Sequence, residues 1–190
     1  MADAVSDRDL MARLAAGERD ALEPLMGRHY KRVYRIALGY LRDPDDALDV
    51  VQETFVKAYS HASRWDGRSE VAPWLCRIAV NQSIDRYRRN KRRRQSFAPL
   101  EEGDHQDILE GSEVSPERRA LSREIGTQVA RALEVLPETQ RAVFVLRHYE
   151  DMTLEEIAGS LGLALGTVKS SLHRAVHRLR EELAGLPGRA

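Results

Sequence analysis

Apolar residues recur along this chain at intervals of three and four, the spacing that lines one face of an α-helix. No segment holds the strict alternation of a half-buried strand. The pattern predicts an all-α protein of about eight helices. Ser6 is placed to cap a short helix that buries Leu10, Met11 and Leu14 and ends at Gly17. Asp20 and Glu23 have capping-box spacing at the head of a second helix, whose apolar face is Leu22, Leu25, Met26, Val33, Ile36, Ala37, Tyr40 and Leu41. Pro24 falls in its first turn, where a missing N–H does least damage. Asp43-Pro44 is a third start, a cap followed by proline at the first helical position. Over Asp45–His61, the residues Ala47, Leu48, Val51, Phe55, Ala58 and Tyr59 face inward.

Pro73 opens a long helix to about Arg94, packed first by Trp74, Leu75, Ile78 and Ala79 and then, on another side, by Val80, Ile84 and Tyr87. Ser96–Pro116 loses the pattern and carries Pro99, Gly103, Gly111 and Pro116. Structureless loops this long are unusual inside one compact domain, so the stretch reads as a linker. Helix resumes at Ser115-Pro116, again cap and proline, with Leu121, Ile125, Val129, Ala132, Leu133 and Leu136 on one face. Pro137 ends it, and a helix over Gln140–Tyr149 buries Val143, Phe144, Leu146 and Tyr149. The expected organisation is two helical domains, residues 1–94 and 116–190, joined by a flexible acidic linker, residues 95–115.

The last apolar pattern, over Thr153–Leu183, is the most specific. Thr153 and Glu156 form a capping box ahead of Leu154, Ile157, Ala158 and Leu161, and Gly162 is placed to end that helix left-handed. Gly166-Thr167 opens the next helix, with Thr167 as candidate cap. On a wheel, Val168, Leu172, Ala175, Val176, Leu179 and Leu183 share one side. Ser170, Arg174 and His177 lie opposite, flanked by Lys169 and His173 on one edge and by Ser171 and Arg178 on the other. Two short helices joined by a tight turn, the second apolar inside and basic outside, make a helix-turn-helix with the size and charge to enter a major groove. The plainer reading of the same pattern is a helical hairpin with a solvated basic face.

Charge sharpens this picture. The 190 residues hold 30 Lys and Arg against 30 Asp and Glu, so the net charge is zero, but it is unevenly placed. Arg86–Arg94 has seven basic residues and no acid, whereas Ser96–Pro116 has six acids and no base. Local patches, not the total, steer binding. The single cysteine, Cys76, excludes an internal disulfide and reads as a quiet core thiol. The N-terminus lacks the apolar run of a signal peptide, and no stretch is long and apolar enough to span a membrane, so a soluble cytoplasmic protein is expected.

Three further groups are candidates for chemistry. Asp45, Asp46, Asp49, Gln52 and Glu53 make an acidic outer face, read either as a docking surface for a basic partner or as a solvated face favoured by the helix dipole. The loop Arg64-Trp65-Asp66-Gly67-Arg68-Ser69 pairs an aromatic with arginines and could hold an unstacked base, although a tryptophan capping the core is more common. Arg77, Asn81, Asp85, Arg88 and Arg92 form one polar stripe, read either as a solvated face laced with i,i+4 pairs such as Asp85 with Arg89 or, as the basic run Arg86–Arg94 favours, as a surface for phosphates and, at Asn81, a base edge. His173 and His177 have the i,i+4 spacing of a zinc pair, but no Glu lies between them and no third ligand is near, so no metal or cofactor is expected. No phosphate loop or nucleophile motif points to an enzyme.

Three blocks together resemble the extracytoplasmic-function (ECF) sigma factors, promoter-recognition subunits of bacterial RNA polymerase in the sigma-70 superfamily. DPDDALDVVQETFVKAY resembles the family's core-polymerase-binding segment. APWLCRIAVNQSIDRYRRNKRR resembles its minus-10 recognition and melting helix, and LPETQRAVFVLRHYEDMTLEEIAGSLGLALGTVKSSLHRAVHRL its minus-35 recognition domain. The resemblance implies that residues 1–94 are sigma region 2 and residues 116–190 sigma region 4. It implies that Asp45, Asp46, Asp49, Gln52 and Glu53 grip the clamp helices of the largest polymerase subunit, the flap being a further polymerase contact. Arg64, Trp65, Asp66, Gly67 and Arg68 would hold a flipped minus-10 base, with Arg77, Asn81, Asp85, Arg88 and Arg89 along that strand and the upstream duplex. Lys169, Ser170, Ser171, His173, Arg174 and Arg178 would lie at the minus-35 major groove. An anti-sigma factor is a further partner the resemblance allows. The chain departs from the family at Ser171, where arginine is frequent, and at Ala72, where phenylalanine is. The rival readings are an ordinary DNA-binding regulator, which leaves the N-terminal half unexplained, and a helical adaptor that binds only proteins.

Overall fold

The computed structural model describes residues 5–67, 70–96, 128 and 132–184. Of the expected acidic linker only residues 95 and 96 are described, and they are helical; the rest of it, Arg68, Ser69 and most of the helix expected after Ser115 lie outside the described residues. Those described are helical, with no strand among them. The N-terminal half comprises α1 (Asp7–Ala15), α2 (Leu22–Leu41), α3 (Pro44–Ser60) and α4 (Val71–Ser96), with short 3-10 turns at Arg19–Ala21 and Ala62–Arg64. The C-terminal half comprises α5 (Glu138–His148), α6 (Leu154–Leu161) and α7 (Leu165–Ala184), with residues 132–134 also helical.

Helix ends follow local chemistry in most places. Ser6 Oγ accepts from the Asp9 amide at 3.2 Å and the Asp9 carboxylate reaches back, a full capping box on α1. Asp43 Oδ1 accepts from the Asp46 amide at 2.9 Å ahead of Pro44. Thr153 and Glu156 form the expected capping box on α6, and Gly162 closes that helix at φ 65°. Two expected caps differ. The residue before α2 is Ala21, with no side-chain cap, because Asp20 is instead drawn to Arg13 Nη2 at 2.7 Å. Helix α7 starts two residues before Thr167, and the Val168 amide donates to the Ala164 carbonyl, so Thr167 lies inside the first turn.

The core of the N-terminal half is a layer of α2, α3 and α4, joined through Leu25, Val33 and Ile36, Val51 and Phe55, and Leu75, Ala79 and Val80. Helix α1 closes it with Leu10, Met11 and Leu14. On α3 the inward face is shifted from the one expected. Val50 and Thr54 are buried, while Leu48 is 40% exposed beside Val56 at 65%. In the C-terminal half, Ala132, Leu133 and Leu136 pack on Ala175 and Leu179 of α7. The buried core does not stop at the boundary between the halves. Val143, Val145, Leu146, Ile157 and Val168 belong to the same cluster as the N-terminal helices.

Candidate nucleic-acid interface

The turn at residues 162–164 sets α6 against α7, and the buried positions of α7 fix which side faces out. Val168, Ser171, Ala175 and Leu179 point inward. Lys169, Ser170, His173, Arg174, His177 and Arg178 are exposed on one continuous basic surface. Ser171 is corrected by the structure: at 3% exposure it belongs to the packed face and cannot reach a groove from there. Arg174 lies back along α7, with Nε donating to the Ser170 carbonyl at 3.2 Å and Nη2 to Ser170 Oγ at 3.2 Å. Ser170 therefore steers the guanidinium as well as standing beside it.

The loop before α4 is held from an unexpected quarter. Arg8 of α1 donates from Nη2 to the Gly67 carbonyl at 3.0 Å and stacks its guanidinium 6.0 Å from the Trp65 ring centre. Gly67 sits at φ 71°, a left-handed turn that favours glycine, and a Cβ there would meet Arg8 Nη2 at 2.9 Å and push the guanidinium aside. Trp65 packs against the N-terminal core, and its Nε1 is buried. The ring is thus a wall of the loop rather than a free stacking plate, while Arg64 and Asp66 are exposed. Nothing in the local sequence links Arg8 to this loop, because 59 residues separate the partners.

Helix α4 presents Arg77, Asn81, Asp85, Arg88 and Arg89 to the surface, the first four at spacings of four, four and three. The basic run is not a single patch, however. Arg86 turns toward α3, donating from Nε to Asp46 at 2.8 Å, from Nη1 to Glu53 at 3.3 Å and from Nη2 to Asp49. Burial alone would favour its neutral form, but the bonds to Asp46 and Asp49 outweigh that and raise its pKa. Arg89 also approaches Glu53, at 3.7 Å. Arg88 donates through Nε and Nη2 to Glu138 at 2.8 and 2.5 Å, and this bond in turn holds the Glu138 carboxyl below its ordinary range.

These pairings divide the acidic face of α3. Asp46 is largely buried, and Glu53 also accepts from Gln82 at 3.0 Å. The outward stripe is Asp45, Leu48, Asp49, Gln52 and Val56, all exposed. It mixes acid with apolar surface, which single-residue charge counting had not shown.

A helix-turn-helix whose second helix carries an exposed basic face defines a DNA-binding protein, and comparison with known proteins places it. The family models for sigma-70 region 2 and sigma-70 region 4 match residues 25–93 and 127–179. The chain is 36% identical to an RNA polymerase sigma-E factor of Streptomyces avermitilis over 90% of its length and 89% of that protein. It is 35% identical to the ECF sigma factor SigM of Mycobacterium tuberculosis over 95% of its length and 86% of that protein. Among solved structures, CnrH in complex with the cytosolic domain of CnrY superposes with a TM-score of 0.67 at 29% identity, covering 94% of this chain and 97% of that one. The sigma factor RpoE of Bartonella quintana, in complex with the anti-sigma factor NepR, shares the fold with a TM-score of 0.64 at 23% identity, covering 86% of this chain and 96% of that one. The chain belongs to the ECF sigma factors of the sigma-70 superfamily, which recognise promoters for RNA polymerase. No described helix is long and apolar enough to cross a membrane.

Proposed function

We propose that the two halves divide promoter recognition as follows. Lys169, Ser170, His173, Arg174 and Arg178 on α7 meet the minus-35 major groove, with Arg174 reading a base edge and Ser170 orienting it. Arginine suits that role because its fork can bond two guanine acceptors at once. The loop carrying Arg64, Trp65, Asp66 and Gly67 receives an unstacked minus-10 base, braced from behind by Arg8. Arg77, Asn81, Asp85, Arg88 and Arg89 on α4 follow the separated strand and the duplex upstream. The outward stripe of α3, Asp45, Leu48, Asp49, Gln52 and Val56, docks on a basic helical surface of core polymerase. Asp46 and Glu53 act behind it by fixing α4 through Arg86.

The observation that carries this reading is the exposed basic face of α7 over its buried apolar one, on a chain whose N-terminal half is built as a sigma region 2. The test is transcription in vitro with bacterial core polymerase on a promoter library. Promoter-specific transcripts that require this protein are expected. Sequence-specific duplex binding without any binding to core polymerase would move the reading to an ordinary regulator. Replacing Asp49 and Gln52 with alanine should weaken core binding and leave the helical content unchanged; unaltered affinity would leave that stripe merely solvated.

A further inference from the structure

We infer that His29 is a positioning residue for the Arg64–Gly67 loop, acting through Asp7 and Arg8 of α1. His29 and Asp7 interrupt two facing apolar stripes. On α2, His29 stands among Leu25, Val33 and Ile36 and is buried with them. On α1, Asp7 heads the stripe that Leu10, Met11 and Leu14 continue at helical spacing. His29 Nε2 and Asp7 Oδ2 lie 2.6 Å apart. A carboxylate can only accept, so Nε2 carries the proton. The other Asp7 oxygen accepts from Arg28 Nη1 at 2.6 Å, and Arg28 Nη2 donates to the Val5 carbonyl at 2.7 Å. Burial alone would raise the Asp7 pKa, but the bonds to Arg28 and His29 outweigh that and lower it, so the group is a carboxylate at neutral pH.

Apolar contact has no direction, so Leu10, Met11 and Leu14 hold α1 on the core without fixing where along α2 it stops. A buried polar pair does fix it, as one polar residue in an apolar seam sets the register of a coiled coil. Sliding α1 by one turn, about 5.4 Å, would leave the Asp7 carboxylate against apolar side chains. Of the two partners of Asp7, Arg28 is the outer one and is screened by water, whereas His29 is the inner one and carries the register. That register places Arg8. One residue beyond Asp7, it leaves α1 about 100° further round the helix, on the side of the loop. There it donates to the Gly67 carbonyl at 3.0 Å and covers the Trp65 ring. A displaced α1 would carry the guanidinium out of bonding range of that carbonyl. The consequence for promoter opening rests on the proposed role of this loop, whereas the relay from His29 to Trp65 does not.

Trp65 carries the readout. Its indole Nε1 is buried, and the chain has two tryptophans, so hydrogen exchange at the indoles of Trp65 and Trp74 can be followed separately by NMR in the full chain. His29→Leu should quicken exchange at Trp65 Nε1 about fivefold, the effect of one lost hydrogen bond on a local opening. His29→Gln, which offers an amide donor at similar reach, should restore most of the protection, whereas a merely space-filling role would be served better by leucine. In a chain already carrying Arg8→Ala, His29→Leu should add little, because its effect passes through Arg8. Exchange in His29→Gln as fast as in His29→Leu, or an undiminished effect of His29→Leu beside Arg8→Ala, would overturn the relay. Asp7→Ala, at a part-exposed helix start, should reproduce the quickening and decides the matter if His29→Leu does not fold; native exchange there would also overturn the relay. In holoenzyme with bacterial core polymerase, His29→Leu should slow opening of a promoter selected from the library about fivefold, with core affinity unchanged. Native opening beside quickened Trp65 exchange would count against the proposed role of the loop and leave the relay standing.

Discussion

Arg86 should be worth more to this protein than any other member of the basic run. Its guanidinium spans Asp46, Asp49 and Glu53, which follow one another along α3, and its side chain is 19% exposed. Replacing it with methionine keeps most of the apolar stem but leaves three neighbouring carboxylates without their shared cation. Exposed ion pairs contribute about 0.2–1 kcal/mol, and stranding a fully buried charge costs about 3–5 kcal/mol. Asp46 is as buried as Arg86, whereas Asp49 is half exposed, so the cost should fall between those limits, at about 2 kcal/mol. With a urea dependence of about 2 kcal/mol per molar, the unfolding midpoint should drop by about 1 M. Arg86→Lys should lie between native and methionine, since an ammonium keeps the charge but cannot fork. Adding Asp46→Asn to Arg86→Met should recover part of the loss by removing the most buried stranded charge. A midpoint shift below about 0.3 M for Arg86→Met would mean that solvent already screens the cluster, and the reading that Asp46 and Glu53 fix α4 through Arg86 would fail.

Other consequences are equally direct. Arg8→Ala removes the bond to the Gly67 carbonyl and the stack on Trp65, and should cost about 1 kcal/mol, or roughly fivefold, in promoter opening read by permanganate reactivity, with core affinity unchanged. An equal loss in core affinity would make Arg8 a general stabiliser of the N-terminal half. Arg174→Ala should weaken binding to the cognate minus-35 sequence by about 1–3 kcal/mol and spare scrambled duplex; equal loss on both would make it a phosphate contact. The Thr153 amide and hydroxyl hold the Glu156 carboxyl below its ordinary range. The stability this lends α6 is complete above the ordinary glutamate pKa and lost as pH falls through the lowered one. Amide exchange in α6 should therefore quicken in acid, and Glu156→Gln, which keeps the cap without the charge, should flatten that dependence.

Much of the architecture was legible along the chain because it depends on neighbours within a few residues. The caps at Ser6, Asp43 and Thr153 and the left-handed Gly162 needed only adjacent chemistry. The helix-turn-helix followed from spacing, as did the outward basic face of α7. Where one residue had two options, local reading erred. Asp20 had capping spacing but went to Arg13, and Leu48 fitted an inward stripe but lies outside while Val50 and Thr54 went in. Ser171 sits at the edge of a helical wheel, and packing alone assigned it to the interior.

The sequence by itself therefore determined most of the described helices, the caps at Ser6, Asp43 and Thr153 and the outward basic face of α7, which follow from periodicity or short motifs, and its blocks carried the resemblance to the family. Only the tertiary structure decided how charge is distributed among partners. Hydrophobic period reports which residues leave water, and says nothing of which distant residue neutralises a given charge. Glu150 and Arg32 meet across 118 positions, Arg141 and Tyr87 across 54, and Arg86 and Asp46 across 40. A run of seven like charges looked like one nucleic-acid patch until the fold sent Arg86 to α3 and Arg88 to the C-terminal half. A guanidinium bonds whichever carboxylate the packed backbone brings within reach, and that proximity arises only once the helices have assembled.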